Sequence, residues 1–154
     1  GKKIKVFKFR SMLQNSLQML KDDKALYQKY IENNYKIPAE EDPRITKFGS
    51  FLRKSSIDEI PQFFNVLNGS MSIVGPRPIV PDELKNYSPN EELFLSVRPG
   101  ITGLWQISGR SSLTKKERID LDLKYIKEAN VLLYIKIILV TPFVVIFKRK
   151  NQAY

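Results

Sequence analysis

Apolar positions recur along this chain at two spacings, and each spacing predicts a different kind of element. Residues 3–10 alternate, with Ile4 and Val6 on one side and Phe7 and Phe9 on the other. That pattern predicts a strand, with its partner expected upstream of the chain. From Ser11, a candidate cap, Leu13, Leu17, Leu20, Tyr27 and Ile31 fall at helical spacing and predict one helix to about Asn33. A loop is expected from Asn33 through Pro38 and Pro43, then a short basic helix from about Ile45 to Lys54. Beginning near Asp58, Ile60, Phe63, Phe64 and Leu67 stand at i, i+3, i+4 and i+7 before Asn68-Gly69 stops the run. Asp58 is the expected N-cap of that helix, because Pro61 then falls where its missing N–H is tolerated.

Further on, Ser72–Val74 suits a short strand and Gly75-Pro76-Arg77-Pro78 a rigid loop, since two prolines remove donors and fix φ. Pro81–Leu95 reads as helix interrupted around Ser88-Pro89, and Ile101–Ile107 as a strand after the Arg98-Pro99-Gly100 turn. Thr114 and Glu117 form a capping box for a helix to about Ala129. Val131–Phe147 is the most apolar stretch, a helix of ~25 Å that contains Lys136 and Pro142 and is too short to span a bilayer. The sum is an α+β fold, helix-rich with short strands or a hairpin, in one domain over residues 1–154.

Composition narrows the chemistry. The chain has no His and no Cys, which removes imidazole acid/base catalysis, thiolate nucleophiles and the usual zinc ligand sets. A formal charge of +10 calls for a negatively charged partner: nucleic acid, anionic lipid head groups or a phosphorylated small molecule. Carboxylates, hydroxyls, Lys and Arg are left to act, and Asp58 and Glu59 form an adjacent acid pair among arginines. At a helix start such a pair is also an ordinary capping arrangement, and the G-P-R-P loop alone is an ordinary stiff connector. Arg53, Lys54, Arg77, Arg98 and Arg110 all lie beside turns or helix ends, where guanidinium groups suit phosphate oxygens. Basic residues 148–150 after the apolar C-terminal stretch fit a helix lying at a lipid surface, with Lys136 snorkelling; a core helix is the other reading.

Five ordered segments carry a resemblance: K-F-R-S-M at Lys8–Met12, D-P-R-I-T at Asp42–Thr46, F-L-R-K-S-S-I-D-E-I-P-Q at Phe51–Gln62, F-N-V-L-N-G-S-M-S-I-V-G-P-R-P at Phe64–Pro78, and R-P-G-I-T-G-L-W-Q-I-S-G-R at Arg98–Arg110. Together they resemble the bacterial sugar transferases, the monotopic polyprenyl-phosphate phosphoglycosyl transferases. The resemblance implies transfer of a sugar phosphate from a UDP-sugar to polyprenyl (undecaprenyl) phosphate with release of UMP. It further implies a covalent aspartyl intermediate, Mg²⁺, and a place on the cytoplasmic face of the bacterial inner membrane. A membrane-inserted hairpin is expected just ahead of the K-F-R-S-M segment, outside this chain. On the family's pattern Asp58 is the nucleophile and Glu59 its partner, both near the metal. Arg53 and Arg77 match phosphate-contacting positions, Arg98 and Arg110 are assigned to the nucleotide end, and Pro78 and Gln106 complete the substrate-binding set. The rival class is a non-catalytic basic module for nucleic acid or a membrane surface; no nucleic-acid motif of defined spacing supports the former, and the aromatics are expected mainly in the core.

Overall fold

A computed structural model describes residues 1–33, 37, 38 and 41–147, which divide into two compact units, residues 8–60 and residues 1–7 with 61–147. Parts of the expected 33–43 loop and the basic residues 148–150 lie outside the described residues.

In the 8–60 unit the single helix expected from Ser11 is two helices, α1 (Ser16–Asp22) and α2 (Lys24–Glu32). Asp23 divides them: its backbone is extended and its carboxylate accepts the Leu26 N–H, so it caps α2 and cannot continue α1. Ser11 caps nothing. It is buried, its carbonyl accepts the Thr46 N–H at 3.2 Å and its hydroxyl accepts from Arg53 Nε at 2.9 Å. Helix α3 (Lys47–Ser55) starts where expected, with Thr46 accepting the Gly49 N–H at 2.8 Å. An antiparallel bridge joins Met12 to Ile45. Beside it the D-P-R motif becomes a buried two-pronged ion pair, Arg44 Nε to Asp42 Oδ1 at 2.7 Å and Nη2 to Oδ2 at 2.8 Å.

The other unit begins with residues 1–7, which have no regular secondary structure in place of the expected strand. A side chain supplies the ladder instead: Asn65 Oδ1 accepts the Phe7 N–H at 2.9 Å and Asn65 Nδ2 donates to the Lys5 carbonyl at 2.7 Å. Asn65 stands on α4 (Gln62–Leu67), whose helical spacing is as read but whose buried side is reversed. Gln62 and Asn65 are 3% and 1% exposed, whereas Phe64 and Leu67 of the apolar stripe are 66% and 82% exposed. The aromatics of this segment are therefore on the surface rather than in the core, because the carboxamide of Asn65 must face the chain that it bonds.

Strand β1 (Ser72–Val74) pairs parallel with β2 (Gly100–Thr102), Val74 opposite Thr102, so the two strands do not form a hairpin. Between them lie a 3₁₀ segment, Pro81–Tyr87, and α5 (Glu91–Leu95). The strand expected over Ile101–Ile107 ends at Thr102, and Leu104–Ser108 is helix α6. After Gly103 the Ile107 N–H finds the Gly103 carbonyl at 3.3 Å, a local bond in place of a longer ladder on a two-stranded sheet. Helix α7 (Lys115–Glu128) carries the capping box in full, and α8 runs over Val131–Phe147. Val74, Tyr125 and Ile137 form the core, with Leu104, Ile107 and Leu133 packed around them. The pattern is helix-rich with one small sheet, consistent with α+β.

Candidate active site

Asp58 and Glu59 sit in a single 3₁₀ turn, Ile57–Glu59, entered through Ser56 in the left-handed region at φ 49°. A non-glycine residue held there stores strain, of the order of 1–3 kcal/mol, and such positions cluster at functional sites. Asp58 is not the expected N-cap of a helix, as Pro61 takes that place on α4. The Asp58 backbone is pinned instead, its carbonyl accepting the Phe9 N–H at 3.0 Å.

Lys8 comes to the acid pair from the other end of the same unit. Its ammonium is 2.9 Å from Glu59 Oε1 and 3.5 Å from Asp58 Oδ2. Asp58 is only 7% exposed, and burial, the largest influence, pushes its carboxyl above the ordinary range. The Lys8 charge opposes that shift, Glu59 reinforces it, and Arg53 in the last turn of α3 opposes it. The result is a carboxylate that is desolvated and more basic than a surface acid. Lys8 opens the K-F-R-S-M segment, but nothing in the sequence alone joins it to the acid pair some fifty residues on.

Both carboxylates offer oxygens to one cationic centre, the position that Lys8 Nζ takes. Two hard carboxylate groups are the kind of oxygen ligand that would suit Mg²⁺. Among the described residues no cluster of three or more His, Cys, Asp or Glu side chains offers an all-protein cage.

The remaining predicted residues belong to the 61–147 unit. Arg77 and Pro78 follow β1, Arg98 precedes β2, and Gln106 lies on α6. The G-P-R-P and R-P-G segments meet backbone to backbone: Gly100 N–H donates to the Pro76 carbonyl at 2.8 Å and Gly75 N–H to the Thr102 carbonyl at 2.9 Å. A Cβ at Gly75 would fall 2.6 Å from the Arg98 carbonyl oxygen, and one at Gly100 would fall 2.1 Å from the Gly75 nitrogen, so only glycine allows the approach. Arg77 is half-buried and Arg98 exposed. Arg110 opens a 3₁₀ turn in the left-handed region at φ 53°. Gln106 Oε1 is buried and accepts no hydrogen bond from the described residues.

Sequence reasoning missed a polar cluster in this unit. Tyr87 Oη donates to Asp122 Oδ2 at 2.9 Å, and Arg118 lies over Trp105 at 5.3 Å from the ring centre. The signal was present: Asp122 interrupts the helical stripe of Ile119 and Ile126 with an acid.

Set against known proteins, the chain matches the family model described as bacterial sugar transferase over residues 1–148. It is 48% identical over 147 residues to the galactosyl transferase CpsE of Streptococcus agalactiae serotype III (strain NEM316), covering 95% of this chain and 32% of that protein. It is 43% identical over 157 aligned residues to the undecaprenyl-phosphate galactose phosphotransferase of Salmonella typhimurium, covering 100% of this chain and 32% of the relative. Against the UDP-glucose:undecaprenyl-phosphate glucose-1-phosphate transferase of Escherichia coli (strain K12) it is 44% identical over 151 residues, 93% of this chain and 30% of the relative. The chain thus spans about a third of the length of these relatives. With a family model matched along nearly its whole length and the dyad, the G-P-R-P loop and the R-P-G strand all built as described, the chain belongs to the bacterial sugar transferase family.

Proposed function

We propose that the protein containing this chain transfers a sugar phosphate from a UDP-sugar to undecaprenyl phosphate and releases UMP, with Asp58 as nucleophile. The observation that carries the proposal is the desolvated Asp58 carboxylate paired through Lys8 with Glu59, in a chain whose relatives are named as transferases to undecaprenyl phosphate. An Asp58 oxygen attacks the phosphorus bearing the sugar, the bond to the bridging oxygen breaks, and UMP leaves with the electron pair. A phosphate oxygen of the polyprenyl acceptor then attacks the same phosphorus and the carboxylate departs. Mg²⁺, when bound, would be held by Asp58 and Glu59 and would supply positive charge against the diphosphate. Lys8 keeps Asp58 ionised, Arg53 adds positive charge near it, and Arg77 on its rigid loop takes the role of binding phosphate oxygens.

The test is UMP release by the full-length protein supplied with undecaprenyl phosphate and a panel of UDP-sugars. Release that requires both substrates supports the reading; binding of anionic vesicles without UMP release identifies a surface module instead. A second measurement addresses the dyad. Since burial raises the Asp58 pKa and Lys8 lowers it, the ionised form is lost as pH falls through a pKa above the usual carboxylate range. Lys8→Gln is expected to move the acid limb of the pH–rate profile to higher pH, and an unmoved limb would remove Lys8 from this role.

Membrane association is part of the same reading. No helix among the described residues is long and apolar enough to cross a bilayer. Helix α8 nevertheless has two apolar faces: Ile137, at 0% exposed, and Val144 enter the core, while Leu132, Leu139, Phe143 and Phe147 are exposed. An exposed face of that kind suits insertion at the head-group level, and α4 adds Phe63, Phe64 and Leu67. Because Ile137 is core, deleting α8 would unfold the unit and report nothing. Leu139→Asp with Phe143→Asp spares the core and is expected to weaken binding to anionic vesicles more than tenfold, at roughly 1.5–3 kcal/mol per large side chain. Unchanged binding with an intact circular-dichroism spectrum would assign the contact to other residues.

A further inference from the structure

Residues Lys8–Ser11 touch the acid turn and the arginine before it at three points. Lys8 Nζ lies 2.9 Å from Glu59 Oε1 and 3.5 Å from Asp58 Oδ2, and the Phe9 N–H donates to the Asp58 carbonyl at 3.0 Å. The third point is Ser11, whose hydroxyl accepts from Arg53 Nε at 2.9 Å across 42 positions of sequence.

Helix α3 is seated on Ser11. The residue is 8% exposed, its carbonyl accepts the Thr46 N–H, and a Cβ at Gly49 would fall 1.8 Å from that same carbonyl oxygen. Gly49 and Arg53 stand four positions apart on one face of α3, so the face laid against Ser11 brings the guanidinium to its hydroxyl. The seating itself is made by backbone, and alanine would keep it. The hydroxyl adds only the bond to Arg53.

At its other end Arg53 is tied to the acid turn. The Ser56 N–H donates to the Arg53 carbonyl at 3.1 Å, and the Glu59 N–H donates to the Ser56 carbonyl at 3.2 Å. These bonds fix the Arg53 backbone against the turn that carries Asp58 and Glu59. Its side chain must still be ordered, and an arginine carries about 2 kcal/mol of rotamer entropy. A guanidinium is planar, so a bond at Nε sets the plane of the whole group while using one of its five N–H donors.

We propose that Ser11 is a positioning residue: by its bond to Nε it sets the plane of the Arg53 guanidinium beside the acid turn, ready for the phosphate oxygens of the substrate. The role rests on the reading of Arg53 as a cation of the phosphate site. Ser11 touches no substrate, and its contribution is preorganisation of a group that does.

The test is steady-state UMP release by the full-length protein with undecaprenyl phosphate and the UDP-sugar that best supports turnover. The wild type, Ser11→Ala, Arg53→Gln and the double variant are compared, each with its thermal unfolding midpoint. Ser11→Ala is expected to lower kcat/KM about tenfold, and the double variant to be no slower than Arg53→Gln alone. A packing role would lower the midpoint of Ser11→Ala and leave kcat/KM of the folded protein unchanged, which would overturn the proposal. Additive losses in the double variant would overturn it too, since Ser11 would then act other than through Arg53. Arg53→Gln with wild-type kcat/KM would remove Arg53 from the phosphate site, and the positioning role with it. A folded wild type that releases no UMP would instead sink the transferase reading on which the role rests. Should Ser11→Ala fail to fold, Ser11→Cys carries the same test: a thiol is close in size but a weak acceptor, and the same loss, absent in the Arg53→Gln background, is expected.

Discussion

Asp58→Asn in the full-length protein is expected to abolish UMP release, by roughly 10³-fold or more, while the thermal unfolding midpoint stays close to that of the wild type. The size of the effect follows from chemistry: an amide is nearly isosteric with the carboxylate but forms no acyl phosphate, so the first step has no nucleophile. Folding is expected to survive because the Asp58 interaction with Phe9 is made by its backbone carbonyl, which the substitution keeps. The side chain gives up its long contact to Lys8 at 3.5 Å and its attraction to the Arg53 charge, and Lys8 retains its closer bond to Glu59. Intact-mass measurement after incubation with UDP-sugar alone provides the second arm, with a phosphosugar adduct on the wild type and none on Asp58→Asn. Near-wild-type turnover by the variant, with deamidation excluded, would sink the assignment.

Asp122→Asn is expected to change stability in a pH-dependent manner that no surface acid reproduces. Burial raises the Asp122 carboxyl from 3.8 to about 7, with the Tyr87 hydrogen bond and the Arg77 charge opposing the rise. The folded state thus holds the proton more tightly than the unfolded chain does. The associated stability is fully present below pH 4 and is lost as pH rises through about 7. Ionised Asp122 costs on the order of 4 kcal/mol at pH 8, while the new amide, if its N–H groups find no partner, returns about 1–3 kcal/mol of penalty. Denaturant unfolding at pH 5 and pH 8 checks the sign. The wild type should lose several kcal/mol relative to the variant between the two values, and a constant difference would place the titration elsewhere.

The elements legible in the sequence are those that local chemistry decides. Thr114 and Glu117 satisfy one another across one turn, and Val131–Phe147 has no competing interpretation, so α7 and α8 fall where the pattern puts them. Where a distant partner decides, the pattern misleads. Alternation at residues 3–10 is real, but its partner is the Asn65 side chain rather than a strand, and the same carboxamide reverses the buried side of α4. The parallel pairing of β1 with β2 joins residues far apart in the chain, and no periodicity announces it. Asp58 and Glu59 stood out because two acids in an arginine-rich segment are chemically conspicuous. Lys8 did not, since its importance lies in a contact 51 positions away.

The exposed apolar faces of α4 and α8 also make this protein's measured stability a property of its solvent. In plain buffer those faces meet water, and association of molecules through them is the expected result as concentration rises. Detergent or lipid that covers the folded surface stabilises it by mass action, in proportion to the logarithm of its free concentration over its dissociation constant. An unfolding temperature quoted without the amphiphile present is therefore incomplete.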